Sequence, residues 1–173
     1  MNPTMRNRLI GLAIALAIFA VDQALKGYVL NGLAMELGQS ITYLPIFNFT
    51  LTHNYGVSLG MFTAQSEEMR WILVGVTGLI AAGVTIWMLR EGKLADIIGL
   101  AMILGGALGN IKDRYDYGYV VDFLDLHFGE WRPFLIFNIA DAAITIGVVI
   151  ILARSLLTRD KGDHEPASEA VES

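Results

Sequence analysis

Four stretches of this 173-residue chain are long and apolar enough to constrain its fold almost by themselves. Residues 9–28 are interrupted only by Asp22, Gln23 and Lys26; 71–89 carry no charge; 94–111 carry only Asp96, and 134–153 only Asp141. A bilayer core is crossed by about 20 mostly apolar residues in helical form. Nearly half of the chain lies in such stretches, far more than a soluble domain of this size can bury. Charged residues make up 17% of the sequence, against about 25% in an average soluble domain. The chain therefore reads as an all-α integral membrane protein with four transmembrane helices. It has no cysteine, which excludes a disulfide, a thiolate nucleophile and cysteine-ligated metal. No basic tract is present, so no nucleic-acid partner is expected. The first apolar stretch follows Arg6 and Arg8 as a signal peptide would. No small-x-small cleavage site follows it, and its internal Asp22 and Lys26 favour an uncleaved span.

Basic residues concentrate in short cytoplasmic segments. With the N-terminus inside, segments 1–8, 90–93 and 154–173 hold seven of the twelve basic residues. The longer outer segments, 30–70 and 112–133, hold only Arg70, Lys112, Arg114 and Arg132. Both termini are thus expected in the cytoplasm. The second outer loop is nevertheless too basic for this rule, so its cations need another reason to be there. Both outer loops carry strand-like alternation. Phe47, Phe49 and Leu51 alternate with Asn48, Thr50 and Thr52, and from Gly118 to Phe128 the face of Val120, Asp122 and Leu124 alternates with that of Tyr119, Val121 and Phe123. This period of two predicts half-buried strands, and so a small β platform at the outer surface. The tail 160–173 is polar and acidic and is expected to be disordered.

Ionisable residues inside a membrane are costly and mark sites by default. Asp141 is seven residues into the fourth apolar stretch, which predicts a depth of about 10 Å at 1.5 Å per residue. Asn138 and Thr145, at i−3 and i+4, would share its face. Asp22 and Lys26, at i and i+4, can pair on the first helix. Asn110, Asp113 and Arg114 stand where the third span leaves the membrane. Asp22, Asn110, Asp122, Asn138 and Asp141 come from distant parts of the chain, yet the topology puts all of them near the outer boundary. A transporter instead places its site near the midplane, often between repeats. No internal repeat is visible, and the second span has no charge.

No H-E-x-x-H motif is present, and His53, His127 and His164 are scattered, so a zinc hydrolase is not indicated. Gly56-Val57-Ser58-Leu59-Gly60 fits G-x-S-x-G but lacks the α/β-sheet context that pattern needs. A carboxylate pair remains, one member ionised as general base and the other protonated. Asp122 and Asp141 are the best-placed pair, joined by a turn at 129–133. Gly105 and Gly109 permit close helix approach. Ordinary packing is the plainer reading of them, a lateral opening for lipid the alternative.

Five blocks then occur in order. They are Asp22-Gln23 with Lys26; Asn54-Tyr55-Gly56; Gly105-Gly106-Ala107-Leu108-Gly109-Asn110 with Asp113-Arg114; Gly118-Tyr119-Val120-Val121-Asp122-Phe123; and Phe137-Asn138-Ile139-Ala140-Asp141. In these blocks the chain closely resembles the lipoprotein signal peptidase (signal peptidase II) family from the first span through the fourth. The resemblance implies an aspartic endopeptidase of the bacterial inner membrane, with its active site facing the periplasm beneath a β cradle. It would cut diacylglyceryl-modified prolipoproteins on the N-terminal side of the lipidated cysteine. It implies Asp122 and Asp141 as the catalytic dyad; Asn54, Gly56, Asn110, Arg114 and Asn138 as lining residues; and Asp22, Lys26 and Asp113 as supporting ones. No metal or cofactor is implied. Membrane lipids are expected partners, and the chain is expected to be a monomer. Two positions depart from the family pattern: Val57-Ser58-Leu59, where Gly-x-Ala and an aromatic are more usual, and Lys112, where an apolar residue is usual. A small lipid or peptide transporter and a structural membrane subunit are the rival readings.

Overall fold

The computed structural model describes residues 2–56 and 67–159. The first helix, α1, spans Pro3–Gly27. The side chain of Asn2 caps it, accepting the Thr4 N–H at 3.0 Å, and proline stands at its first position, where a missing N–H costs nothing. The helix runs on through a wider π turn, Tyr28–Gly32. Helices α2, Glu67–Arg90, and α3, Leu94–Tyr117, are joined by a tight connection. Gly118, at φ +85°, ends α3 by returning its N–H to the Arg114 carbonyl at 3.1 Å, a left-handed stop that glycine adopts without strain. The last helix, α4, spans Ile139–Arg159. All four helices are long and apolar enough to cross a membrane. Leu79, Leu152 and Leu156 point outward, more than half exposed, as lipid-facing side chains do. The chain is a multi-pass membrane protein.

Helix α3 is the axle of the bundle. Half of its apolar window is buried, against 11% for α2, and it packs on α1, α2 and α4. Small residues make those contacts. A Cβ added at Gly105 would lie 2.6 Å from the Ala15 carbonyl oxygen, and one at Gly106 would lie 2.4 Å from that of Ala140. Gly109 packs as closely, against the Asp22 carboxylate, so these glycines serve close helix packing. Because the obstacle at Gly106 is backbone, no rotamer change relieves it. Gly106→Ala should therefore part α3 from α4 and cost about 1–3 kcal/mol, read as a lower melting temperature in detergent. Melting unchanged from the wild type would show slack between these helices.

Three antiparallel strands in the order β1-β2-β3 form a sheet at one end of the bundle. They are β1 (Ser40–Leu44), β2 (Phe47–Asn54) and β3 (Val120–Leu126). The expected alternations fall on β2 and β3, whereas β1 carried no such signal. One difference matters. Residues Val120–Phe123 are buried on both faces of β3, since Val121 and Phe123 pack with Leu51, Val29 and Met35, while Asp122 faces the helices. The fourth apolar stretch also differs from expectation. Residues 134–138 are not helical: Phe137 pairs with Leu124 across an isolated bridge, and Phe128 pairs with Trp131. Asp141 consequently lies in the first turn of α4 rather than two turns down it.

Candidate active site

Each aspartate of the pair is delivered by a different kind of element. Asp141 arrives through a helix cap: Asn138 Oδ1 accepts the Asp141 N–H at 2.9 Å, and Asp141 Oδ2 accepts the Asn138 N–H at 3.3 Å. This reciprocal arrangement is a capping box with asparagine and aspartate in its two places. Asp122 arrives from β3, 2% exposed. Asn138 Nδ2 donates to its Oδ1 at 2.7 Å, and Asn54 Nδ2 donates to its Oδ2 at 3.0 Å. Asn110 completes the set, with Nδ2 donating to Asp141 Oδ1 at 2.8 Å and Oδ1 accepting from Asn138 at 3.2 Å. Asn138 thus touches both carboxylates. Thr145 lies one turn further along α4 and, with Asp141, lines an apolar groove.

A second buried network holds the backbone on which this pair stands. Asp22 Oδ1 accepts the N–H of Ala140, the neighbour of Asp141, at 3.0 Å. Asp113 Oδ2 accepts the N–H of Val121, the neighbour of Asp122, also at 3.0 Å. The Lys26 ammonium joins the two supports, 2.9 Å from Asp22 and 2.8 Å from Asp113, and donates to Asn110 Oδ1 at 3.2 Å. The i, i+4 pairing expected of Asp22 and Lys26 is therefore part of a larger unit. Gln23, noted in the sequence but given no role there, bridges the same two aspartates at 3.2 and 2.9 Å.

Arg114 lies within electrostatic reach of both aspartates. Its Nη1 reaches the Asn110 carbonyl at 3.4 Å, and its buried Nε has no hydrogen-bond partner among the described residues. Gly56, at φ +85°, leaves room for it: a Cβ there would sit 3.4 Å from Arg114 Nη2 and 2.8 Å from Leu73. Asn54 Oδ1 accepts the Gly56 N–H at 2.8 Å, closing that turn.

Burial first, and the Asp141 charge second, push the Asp122 carboxyl up to about 7, against the pull of its two asparagine donors and Lys26. Two cavities reach the pair. A cleft of about 670 Å³ reaches Asp122 between the end of β2 and residues 132–136, with His53, Asn54 and Arg132 on its wall. The apolar groove, about 270 Å³, reaches Asp141 past Phe134, Leu135 and Ile146. Phe134 and Leu135 line both.

The surplus of outer-loop cations has a structural account. Lys112 pairs with Asp116 on the exposed side of α3, away from the pair. Arg132 pairs with buried Asp125 at 3.1 Å. Arg70 donates to the carbonyls of Arg114 and Tyr115, capping the end of α3. Sequence reasoning missed Asp125 and Arg70. The signal for Asp125 was a second carboxylate in a strand of seven otherwise mostly apolar residues; for Arg70 there was none. Val57, Ser58 and Leu59, and with them most of the G-x-S-x-G match, lie outside the described residues.

Four membrane-crossing helices with a buried and a half-buried carboxylate, linked by asparagines, at one end define a multi-pass membrane protein with a paired-aspartate site. Comparison with known proteins narrows this. The family model described as signal peptidase (SPase) II matches residues 14–157. A lipoprotein signal peptidase of Sphingopyxis alaskensis is 49% identical over 162 residues, 94% of each chain. One of Rhizorhabdus wittichii is 46% identical over 154 residues, covering 89% of this chain and 90% of the relative. A bacterial membrane enzyme solved by the in meso method at 2.3 Å superposes with a TM-score of 0.75 and 27% identity, covering 94% of both chains. The chain belongs to the signal peptidase II family and is a peptidase that removes lipoprotein signal peptides.

Proposed function

We propose that Asp122 and Asp141 are the catalytic dyad of an endopeptidase that cuts a diacylglyceryl-modified prolipoprotein just before its lipidated cysteine. The observation that carries this is Asn138, whose side chain donates to Asp122 while its backbone and Oδ1 fix Asp141. Asp141, held on both oxygens by Asn110 and the Asn138 backbone, is the proposed base. Asp122, pushed up to about 7, keeps a proton near neutral pH. In this mechanism Asp141 takes a proton from water as its oxygen attacks the scissile carbonyl carbon, and Asp122 gives its proton to the carbonyl oxygen. The tetrahedral intermediate then collapses: Asp141 returns the proton to the departing amide nitrogen, the C–N bond breaks, and Asp122 recovers its own. Arg114 supplies positive charge beside the two carboxyls as the proton moves between them and the substrate. Asn54, Gly56, Asn110 and Asn138 line the site, and Asp22, Lys26 and Asp113 support it.

The polar end of the bundle is proposed to face the periplasm, across the inner membrane from both termini and the acidic tail 160–173. The three-stranded sheet would then be the platform at that surface. Acyl chains hold such a substrate at the membrane, at about 0.8 kcal/mol per buried CH₂, which keeps the cleaved bond at the depth of the pair.

The test is cleavage of a diacylglyceryl-modified prolipoprotein by the purified chain across pH. An ionised base and a protonated acid are both needed, so kcat/KM should fall tenfold per unit as pH rises well above about 7. Mass spectrometry should find the product starting at the lipidated cysteine. A rate still rising at pH 9 would contradict the assignment of Asp122 as the acid.

A further inference from the structure

We propose a second ligand site at the far end of the bundle, a cleft that binds a phospholipid whose headgroup joins a phosphate to a primary ammonium. Asp96 and Asn110 are fourteen residues apart on α3, so this end lies roughly 20 Å from the aspartate pair at 1.5 Å per residue. There the end of α2, the connection 91–93 and the last turns of α4 enclose about 360 Å³, within the range of small-molecule sites. The walls divide by chemistry. Trp87, Ile151 and Leu152 form an apolar side, and Glu91, Lys93, Asp96 and Arg154 form a charged one. Trp87 and Leu152 are more than half exposed, so the apolar side opens toward lipid, and tryptophan at a helix end suits the interfacial layer.

The charges are not spent equally. Asp96 and Arg154 pair with one another through two hydrogen bonds. Among the described residues the hydrogen bonds to Glu91 fall on Oε1, which accepts the N–H groups of Gly92 at 2.8 Å and Lys93 at 3.0 Å, while its charge also acts on Arg154. The Lys93 ammonium makes no ion pair among the described residues. One cation and one carboxylate oxygen thus remain on the charged wall, above an apolar slope. A phosphate fits Lys93 and a primary ammonium fits Glu91 Oε2, with acyl chains running along Trp87, Ile151 and Leu152. The loop is held by α1: Asn7 Nδ2 donates to the Gly92 carbonyl at 2.9 Å, and Arg8 Nε to that of Glu91 at 3.3 Å.

The experiment is native mass spectrometry of the full chain in detergent, supplied with equal amounts of phosphatidylethanolamine, phosphatidylglycerol and phosphatidylcholine. Phosphatidylethanolamine should be retained preferentially. Lys93→Gln should weaken binding of all three by about tenfold, the loss of one charge-assisted contact. Glu91→Gln keeps the acceptor for the loop N–H groups and should erase only the preference for the primary ammonium. Both variants should cleave prolipoprotein at the wild-type rate. Equal retention of the three lipids by the wild type would overturn the proposal, as would wild-type retention by both variants. Loss of phosphatidylethanolamine preference in Glu91→Gln but not in Lys93→Gln would support the assignment of the two ends of the headgroup.

Discussion

Asp141→Asn should remain folded and inserted yet lose roughly 10³-fold or more in kcat/KM, because an amide of the same shape cannot accept the proton from water. The substitution is mild for the fold. Asparagine keeps an oxygen for Asn110 at 2.8 Å, and the only contact set against an amide N–H is the longer one to the Asn138 backbone at 3.3 Å. Asp122→Asn should be equally inactive. There the displaced donor is Asn54, which is exposed, so its amide N–H can turn to water instead. Since the two groups act as one unit, the double variant should be no slower than either single one. Cleavage of a diacylglyceryl-modified prolipoprotein, followed beside a melting curve for each variant, separates lost chemistry from lost structure. A single variant within tenfold of the wild type would remove that residue from the dyad.

The largest effect on stability should come from a residue that does no chemistry. Lys26 is 2% exposed and sits between Asp22 and Asp113 at 2.9 and 2.8 Å. Lys26→Met keeps the stem and removes the ammonium, leaving two buried carboxylates facing each other without a cation. Breaking a buried pair in this way costs about 3–5 kcal/mol. The cost should shrink when Asp22→Asn is added, because one of the stranded charges goes with it, and a double-mutant cycle in detergent melting measures that coupling. Additive losses would mean that the three groups do not act as a unit. Activity should fall with stability, since Asp22 and Asp113 hold the backbone beside the two aspartates.

How far the sequence foretold this depends on the residue. The helices were legible because uninterrupted hydropathy has one main explanation in a chain with so few charges. The pair and its asparagines were legible because polar groups in apolar surroundings stand out, and because five motif blocks occur in order. Strand β1 was not, for it is an edge strand with four of its five residues exposed, and no burial contrast imprints a period on it. The start of α4 falls later than hydropathy suggests because Phe134–Phe137 are as apolar as a span without being helical, a distinction hydropathy cannot make. The cap that settles it, Asn138 with Asp141 three residues on, was present in the sequence but was read as part of a helical stripe. The tie from Lys26 to Asp113 joins α1 to α3 and leaves no local trace at all.

The wall between the two cavities has a consequence for the supply of reactants. Hydrolysis consumes a water molecule, yet the acyl chains of the substrate belong in oil. If the aspartate pair is the proposed dyad, Phe134 and Leu135, which line both cavities, would keep the two media apart until they meet there. Leu135, 89% exposed, is the outermost plank of that partition. On that reading the enzyme would work at a phase boundary of its own making, drawing one reactant from each side and mixing them only where the bond is to break.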